Sequence, residues 1–379
     1  MPAERFVMPT LAKTPILPPD GIHFDMPFET YLAAPAVGSG GMKEVLADPL
    51  RFWTRSWMNP HKPEEEEKDH HLYGHAFHCR LLEGSDEFEA RYYAEPDKAD
   101  YPDLIETDAD LRAAIAEFEE KPKSGNKFER IAQLIELWPD APVWDHIVAQ
   151  AARDAGNRQA LKSEWVQRFE LAAEACENNP AILPLISEGY SEVSLFWHCP
   201  LTGIPKKARA DRLHIGGMLD VKTFANQQER SLKRAVPKEI ADRKYPFQPS
   251  HYLEGAQVVR DLIRRTGDAA VFPTFAETVE GGAHVDECQC RLAFAQEWAN
   301  HGEPDWWKWL FVQKGDAPSV IAVGYPVDGL NREQFDMLCA EASERIRDFA
   351  LEFKGEPWAQ HFDVWELEDN QIPTYAMEV

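Results

Sequence analysis

A carboxylate and an amine two residues apart are the residues of this sequence best suited to chemistry. The segment 217–223 reads Gly-Met-Leu-Asp-Val-Lys-Thr, and its apolar run is typical of a buried β-strand. Since residues i and i+2 of a strand point to the same face, Asp220 and Lys222 are predicted to project side by side. Leu219 and Val221 are predicted to face the other way, into a core.

A second aspartate precedes this pair by one predicted hairpin. Asp211 lies in the segment 207–213, which also has the pattern of a strand, and the Ile-Gly-Gly sequence at 215–217 favours a tight turn. This hairpin brings Asp211 and Asp220 to one end of a sheet. Two carboxylates beside the Lys222 ammonium suit a hard divalent cation and an activated water, which predicts metal-assisted phosphodiester hydrolysis. Taken alone, the Asp–Lys pair has an alternative, an ion pair on an exposed strand face.

A histidine and a glutamate are candidates to complete the metal site. His78 follows Gly74 by one turn of a predicted helix at 70–84, and Glu192 begins the strand that precedes Asp211. An imidazole is a less usual ligand for Mg²⁺ but is acceptable to Mn²⁺. The alternative for His78 is a histidine packed in its helix or exposed on the surface.

A glutamine and a tyrosine are candidates for substrate contact. Gln248 and Tyr252 lie four residues apart, at the start of a predicted helix that runs to about residue 265. They share a helix face, and a carboxamide and a phenol can bind a phosphate or a base edge. A capping glutamine and a half-buried tyrosine are the alternative interpretation.

The composition of the chain indicates a soluble protein. Of its 379 residues 44% are hydrophobic, and none of its apolar runs approaches the ~20 residues that span a bilayer. The N-terminus has no signal-peptide pattern, so a cytoplasmic location is expected. The six cysteines include no Cys-x-x-Cys pair, which favours reduced thiols over disulfides or a zinc or iron–sulfur site.

The charge of the chain is distributed unevenly. The net charge is −25, yet residues 201–250 contain eleven basic and five acidic residues, a net of +6 that leaves −31 for the rest. An acidic surface disfavours nonspecific binding of polyanions, whereas a local positive field around carboxylates suits a phosphate-bearing substrate. The alternative for about half of these bases is a solvated helical face at 228–244.

The order of the predicted elements indicates an α/β or α+β fold with a central mixed β-sheet flanked by helices. Strands are predicted at 191–197, 206–213, 217–223, 269–274, 308–313 and 318–325. Helices are predicted within 28–59 and at 70–84, 225–242, 248–265 and 331–353. The proline-rich residues 1–27 are expected to be extended with no clear part in the core, and the polar segment 103–180 to form a helical insertion.

Five motifs in this order resemble those of a known family. They are Gly74-x-x-x-His78, Glu192, Asp211, Asp220-x-Lys222 and Gln248-x-x-x-Tyr252. The pattern resembles the RecB-like branch of the PD-(D/E)xK nuclease superfamily and, more closely, the exodeoxyribonuclease VIII (RecE-like) family of phage and prophage. Residues 74–83, Gly-His-Ala-Phe-His-Cys-Arg-Leu-Leu-Glu, are similar to the family's helix around its histidine. Phrases at 311–314, 320–323 and 356–358 fit its C-terminal part, so the resemblance covers roughly residues 28–370.

The resemblance implies a PD-(D/E)xK restriction-endonuclease-like core over residues 28–379 and a role for each motif. The implied ligands of Mg²⁺ (or Mn²⁺) are His78, Asp211, Asp220 and the carbonyl of Val221. Lys222 is implied as catalytic together with the carboxylates, while Glu192 either supports the metal through water or holds the basic strand. The implied contacts to DNA are Gln248 and Tyr252, with Lys207 and Arg209 among the bases that line the groove.

The resemblance also implies a biological setting. A magnesium-dependent exonuclease would resect one strand of linear duplex DNA from its end, in phage-type recombination inside a bacterial host cell. Its partners would be double-stranded DNA ends, a single-strand annealing protein and further copies of the chain. The alternatives are a catalytically inactive DNA-binding scaffold of the same fold, and an endonuclease or Cas4-like relative.

The insertion carries a signal of its own. Asp110, Leu111 and Ile115, followed by residues 124–127 and Ile131, resemble a SAP-type helix–loop–helix, a module that can bind DNA. A helical spacer that shapes the DNA channel or a subunit contact is the alternative.

Overall fold

The fold is described from a computed structural model of the protein. It describes residues 16–59, 61–63, 69–273, 283–302 and 304–352. Residues 1–15 of the predicted extended segment 1–27 and the family-like phrase at 356–358 lie outside this range. No helix in the described part of the chain is both long and apolar enough to cross a membrane.

The described strands form one large sheet and one small sheet. The strands are β1 Gly21–His23, β2 Tyr92–Ala94, β3 Gln159–Leu161, β4 Tyr190–His198, β5 Pro205–Leu213, β6 Gly217–Phe224, β7 Val271–Phe272, β8 Trp306–Gln313 and β9 Val320–Tyr325. The large sheet has the order β7-β1-β4-β5-β6-β8-β9, and β2 pairs with β3. In the large sheet β7 is parallel to β1 and β8 is parallel to β6, whereas the other neighbours are antiparallel.

Helices cover both faces of this sheet. They are α1 Phe28–Ala33, α2 Ser39–Ala47, α3 Pro49–Arg55, α4 Asp69–His78, α5 Ser85–Arg91, α6 Asp108–Ala116, α7 Lys127–Leu137, α8 Trp144–Ala155, α9 Ser163–Glu177, α10 Leu183–Ser187, α11 Leu232–Asp242, α12 Phe247–Thr266, α13 Ala283–His301 and α14 Leu330–Glu352. The mixed sheet flanked by helices confirms the predicted fold class.

Two apolar clusters on opposite faces of the sheet hold these layers together. One cluster packs β4, β5 and β8 against α12 and α13, with Trp197, Trp298 and Trp307 fully buried. The other packs α4 and α9 against β6 and β8, and it contains Leu219 and Val221. The prediction that Leu219 and Val221 face a core is therefore confirmed, because alternate residues of β6 serve different faces of the sheet.

The expectation that the first 27 residues take no part in the core is wrong for the described residues among them. Ile22, Phe24 and Met26 are all buried. β1 lies between β4 and β7 and pairs with both. A strand of three residues is too short to show a periodicity in the sequence, so its burial depends on neighbours far along the chain.

Two predicted elements are shorter than expected. The strand predicted at 269–274 is reduced to Val271–Phe272, after a 3₁₀ turn at Gly267–Ala270. The helix predicted from 225 begins only at Leu232. Before it, the side chain of Asn226 donates to the carbonyl of Arg230 and accepts from its amide, which closes a loop instead of a helical turn.

The segment 103–180 is helical, as its periodicity predicts, but it divides into two parts. α6 and α7 bury a small cluster of their own that includes Leu111, Ile115, Ile131 and Leu134. α9 instead packs through Phe169 into the cluster that contains α4. The second part therefore belongs to the layer that supports His78.

Candidate metal centre

The centre of the site is a distorted row of the large sheet. Residues 191 and 193 of β4 pair with 212 and 210 of β5, and the ladder skips the position where Glu192 lies opposite Asp211. Glu192 has a φ of 54°, which is rare for a residue with a side chain and typical of strained functional sites. Tyr190 and Val193, three residues apart, pack against the same cluster. The alternation of faces along β4 is therefore broken at Glu192.

The predicted hairpin brings Asp211 next to β6. Arg212 and Leu213 pair with Leu219 and Met218, and the ladder ends there. Beyond it, the Oδ2 atom of Asp211 accepts a hydrogen bond of 2.6 Å from the amide of Val221. A carboxylate thus replaces a main-chain acceptor of the sheet, which holds Asp211 beside β6.

His78 approaches the same row from the covering helix. It is the last residue of α4, and a π-helical turn at Cys79–Glu83 follows it, a feature common at functional sites. Its Nε2 lies 3.1 Å from the carbonyl oxygen of Val221. Its Nδ1 lies 3.7 Å from Asp211 Oδ2 and 3.9 Å from Glu192 Oε1.

These contacts define a group of three potential ligands. One nitrogen of His78 and one oxygen each of Glu192 and Asp211 all lie within 4.8 Å of one another, and all three side chains are partly exposed. A hydrogen bond from Nε2 to Val221 leaves the lone pair of Nδ1 facing the two carboxylates, and such an outer hydrogen bond commonly sets the tautomer of a metal-binding histidine. The Val221 carbonyl, predicted as a ligand, contacts His78 in this arrangement.

Asp220 and Lys222 lie side by side, as predicted, but Asp220 is outside this group of three. The Nζ of Lys222 is 2.5 Å from Oδ2 of the buried Asp220. The Lys222 ammonium is thus the partner of this buried oxygen. The other oxygen, Oδ1, accepts a hydrogen bond from the side-chain amide of Gln248. Gln248 therefore orients Asp220 in this structure.

Burial, reinforced by nearby carboxylates, raises the proton affinity of Asp211. Burial raises the pKa of its carboxyl from 3.8 to about 7, with Asp220 and Glu192 adding to the effect and His78 and Lys222 opposing it. Burial alone would lower the pKa of the Lys222 ammonium, but Asp220 and Asp211 outweigh it and the pKa is raised. Lys222 is therefore a protonated cation at neutral pH.

Two of the residues predicted to contact DNA, Lys207 and Tyr252, point into the protein. Lys207 is buried, and its Nζ donates to the carbonyls of Tyr31, Leu32 and Ala34 at 2.7, 2.9 and 2.9 Å. Its role is to cap the end of α1, so the expected phosphate contact is corrected. Tyr252 is also buried, edge-on against Trp307 in the apolar cluster, and is thus more deeply buried than the alternative interpretation of a half-buried tyrosine predicts.

Arg209 acts within the site and not at its mouth. Its Nε donates to Glu192 at 2.5 Å, and its Nη1 donates to the carbonyl of Met26 and to the hydroxyl of Ser194. Only 11% of its side chain is exposed. Arg209 therefore holds one oxygen of Glu192 and leaves the other oxygen toward His78.

Two residues beside Lys222 were not anticipated from the sequence. The ring of Tyr245 lies under the ammonium, with 5.4 Å between Nζ and the ring centroid. Lys43 of α2 is close enough for Lys222 and Asp220 to affect its pKa. Neither residue belongs to a recognisable motif, and their approach depends on how α2 and the loop after α11 pack.

Comparisons with known proteins add little to this geometry. No protein-family model matches the chain, and no curated protein matches it. A solved structure that is similar is that of a putative exonuclease from Eubacterium rectale, with 14% sequence identity, a TM-score of 0.44 and coverage of 86% of each chain. A likeness this distant supports no inference about activity.

Proposed function

We propose that this protein is a metal-dependent deoxyribonuclease. The observation that supports the proposal is the meeting of His78, Glu192 and Asp211 within 4.8 Å, directly beside the ion pair of Asp220 and Lys222. A nitrogen and several carboxylate oxygens around a protonated lysine are what metal-assisted phosphodiester hydrolysis requires.

The residues present fit a divalent cation. Two carboxylates and an imidazole supply the hard oxygen donors that Mg²⁺ prefers and a nitrogen that Mn²⁺ accepts. The pKa of Asp211 is raised chiefly by burial, with Asp220 and Glu192 adding to the effect, and a bound cation would favour the ionised form of this carboxyl. We assign His78, Glu192 and Asp211 as the residues that hold the cation, with Asp220 as a further candidate.

Other side chains of the site are proposed to act on the phosphate or to hold the ligands in position. A bound cation would polarise the phosphate and lower the pKa of a coordinated water. The Lys222 ammonium, kept protonated by Asp220, stabilises negative charge that develops on the phosphate or orients the attacking water. Gln248 fixes the rotamer of Asp220, and Arg209 fixes that of Glu192. Both restrict the site to one arrangement.

The substrate is proposed to be duplex DNA with free ends. Lys206, Lys207 and Arg212 of the basic segment are buried, so the bases that can reach DNA lie on α11 and its flanks. These exposed bases are Arg230, Lys233, Arg234, Lys238, Arg243 and Lys244. From the family resemblance we propose strand resection by an oligomeric enzyme in a bacterial host cell, in support of a single-strand annealing partner and phage-type recombination.

The proposal is tested by incubating the protein with end-labelled linear duplex and with covalently closed circular DNA. We expect release of nucleotides from the linear substrate with Mg²⁺ or Mn²⁺ and none with EDTA. Asp220→Ala should abolish release and retain DNA binding. Binding by the parent protein without release under any metal would establish the scaffold alternative, and nicking of the closed circle would establish an endonuclease.

A further inference from the structure

Lys43 occupies an unusual position for a lysine. It lies in the middle of α2, whose Met42 and Val45 are buried against Phe247 and α14. Its side chain is partly buried, and its Nζ lies 3.3 Å from the carbonyl oxygen of Arg243, the C-cap residue directly after α11. The C-terminal end of a helix attracts a cation, so this contact holds the ammonium at the end of α11, two residues before Tyr245, whose ring centroid lies 5.4 Å from the Nζ of Lys222.

The charges around Lys43 are mostly of its own sign. Burial lowers the pKa of Lys43, and Lys222, Arg243 and Lys244 lower it further, while Asp220 opposes them. Asp220 is already paired with Lys222, and Arg243 is paired with Glu239 at 3.1 Å. Within the described residues no carboxylate lies within ion-pair distance of the Lys43 ammonium. The part of the chain that the structure describes therefore pairs the Lys43 ammonium with a main-chain carbonyl but with no carboxylate.

We propose that Lys43 binds a backbone phosphate of the DNA other than the one that is cleaved. The inference rests on the proposed nuclease function, because that function supplies the phosphate. A partly buried ammonium with Lys222, Arg243 and Lys244 as like-charged neighbours gains more from an anion than an exposed lysine does, since screening by water is weaker there. Lys43 is thus a positioning residue that continues the line of exposed bases on α11 toward Lys222.

The first test replaces Lys43 by Gln and by Arg and measures binding of labelled duplex in EDTA, where no cleavage takes place. Lys43→Gln should weaken binding about tenfold and reduce the slope of log Kd against log salt by about one. Lys43→Arg should retain most of the parent protein's affinity for duplex and most of its salt slope. Lys162→Gln, which removes the same charge from a site near Asp69, should change neither.

Kinetics separate positioning from chemistry. With Mg²⁺ or Mn²⁺, Lys43→Gln should raise KM about tenfold and leave kcat within about twofold of the parent value. A lower melting temperature with unchanged Kd and salt slope would show a purely structural lysine and overturn the inference.

A second measurement uses the parent protein and does not depend on the folding of any variant. Acetylation of lysines by acetic anhydride, read by mass spectrometry, should be suppressed at Lys43 by bound duplex and remain unchanged at Lys162. Equal acetylation of Lys43 with and without bound DNA would overturn the inference. A parent protein that binds DNA but cleaves none would instead contradict the proposed function, whatever the state of Lys43.

Discussion

The Nε2 of His78 lies 3.1 Å from the carbonyl oxygen of Val221, which joins the end of α4 to the strand that carries Asp220 and Lys222. The contact directs Nδ1 toward Asp211 and Glu192. It also ties the covering helix to the sheet at the point where three carboxylates converge. The tautomer of His78 and the position of its ring are thus fixed by one hydrogen bond to the main chain.

His78→Gln is expected to weaken binding of Mn²⁺ by about ten- to a hundredfold, the usual cost of losing a ligand or its support. The amide of glutamine can still donate to Val221 but offers no imidazole nitrogen to the cation. Isothermal titration with Mn²⁺ measures the change. His71→Gln, an exposed change on the same helix, serves as the control, and equal affinities of the two variants would contradict the assignment.

Glu192→Gln separates the two roles left open for Glu192. Glutamine keeps an oxygen that accepts from Arg209 but removes the charge, so we expect weaker Mn²⁺ binding and a melting temperature near that of the parent. Ser194→Ala removes another acceptor of Arg209 and should leave Mn²⁺ affinity unchanged. If Glu192→Gln lowers the melting temperature while the affinity for Mn²⁺ stays the same, Glu192 only holds Arg209.

Asp211→Asn is expected to stabilise the metal-free protein at high pH. Because the pKa of Asp211 is raised from 3.8 to about 7 by folding, the stability this carboxyl contributes is fully present below pH 3.8 and is lost as the pH rises through 7. The free energy of unfolding of the asparagine variant, relative to that of the parent, should therefore grow by about 2 kcal/mol between pH 5 and pH 8.

Urea unfolding in EDTA at both pH values measures this advantage. Asp140→Asn, a change on an exposed loop, should show no comparable growth. An advantage that is constant with pH, or that shrinks toward pH 8, would show that Asp211 is not a carboxyl with a raised pKa.

Lys207→Met is expected to lower the free energy of unfolding by about 2 kcal/mol or more, because three carbonyls at the end of α1 lose their donor, and two of these hydrogen bonds are buried. The salt dependence of DNA binding should not change. Lys244→Gln, at an exposed base beside the site, should do the reverse, with reduced affinity for DNA and unaltered stability. Chemical denaturation and DNA-binding titrations on both variants measure these effects. A smaller slope of log Kd against log salt for Lys207→Met would show that Lys207 contacts DNA.

Local spacing in the sequence was enough to predict much of this protein. The two-residue period of β6 placed Asp220 beside Lys222 and turned Leu219 and Val221 to the opposite face. The Ile-Gly-Gly turn predicted the hairpin, and there a Cβ on Gly217 would overlap the ring of Trp306. These features depend on residues close in sequence, whose relative directions are set by backbone geometry alone.

Only the tertiary structure decided which polar groups meet. The left-handed backbone of Glu192 requires the neighbouring strand, and the burial of Lys207 requires α1 to lie over β5. Lys43 comes near Lys222 only because α2 packs on α12. A sequence pattern reports the face on which a charged side chain lies, but not the partner that lies opposite. The exposed or buried state of such a side chain therefore follows from packing between elements that are distant in the chain.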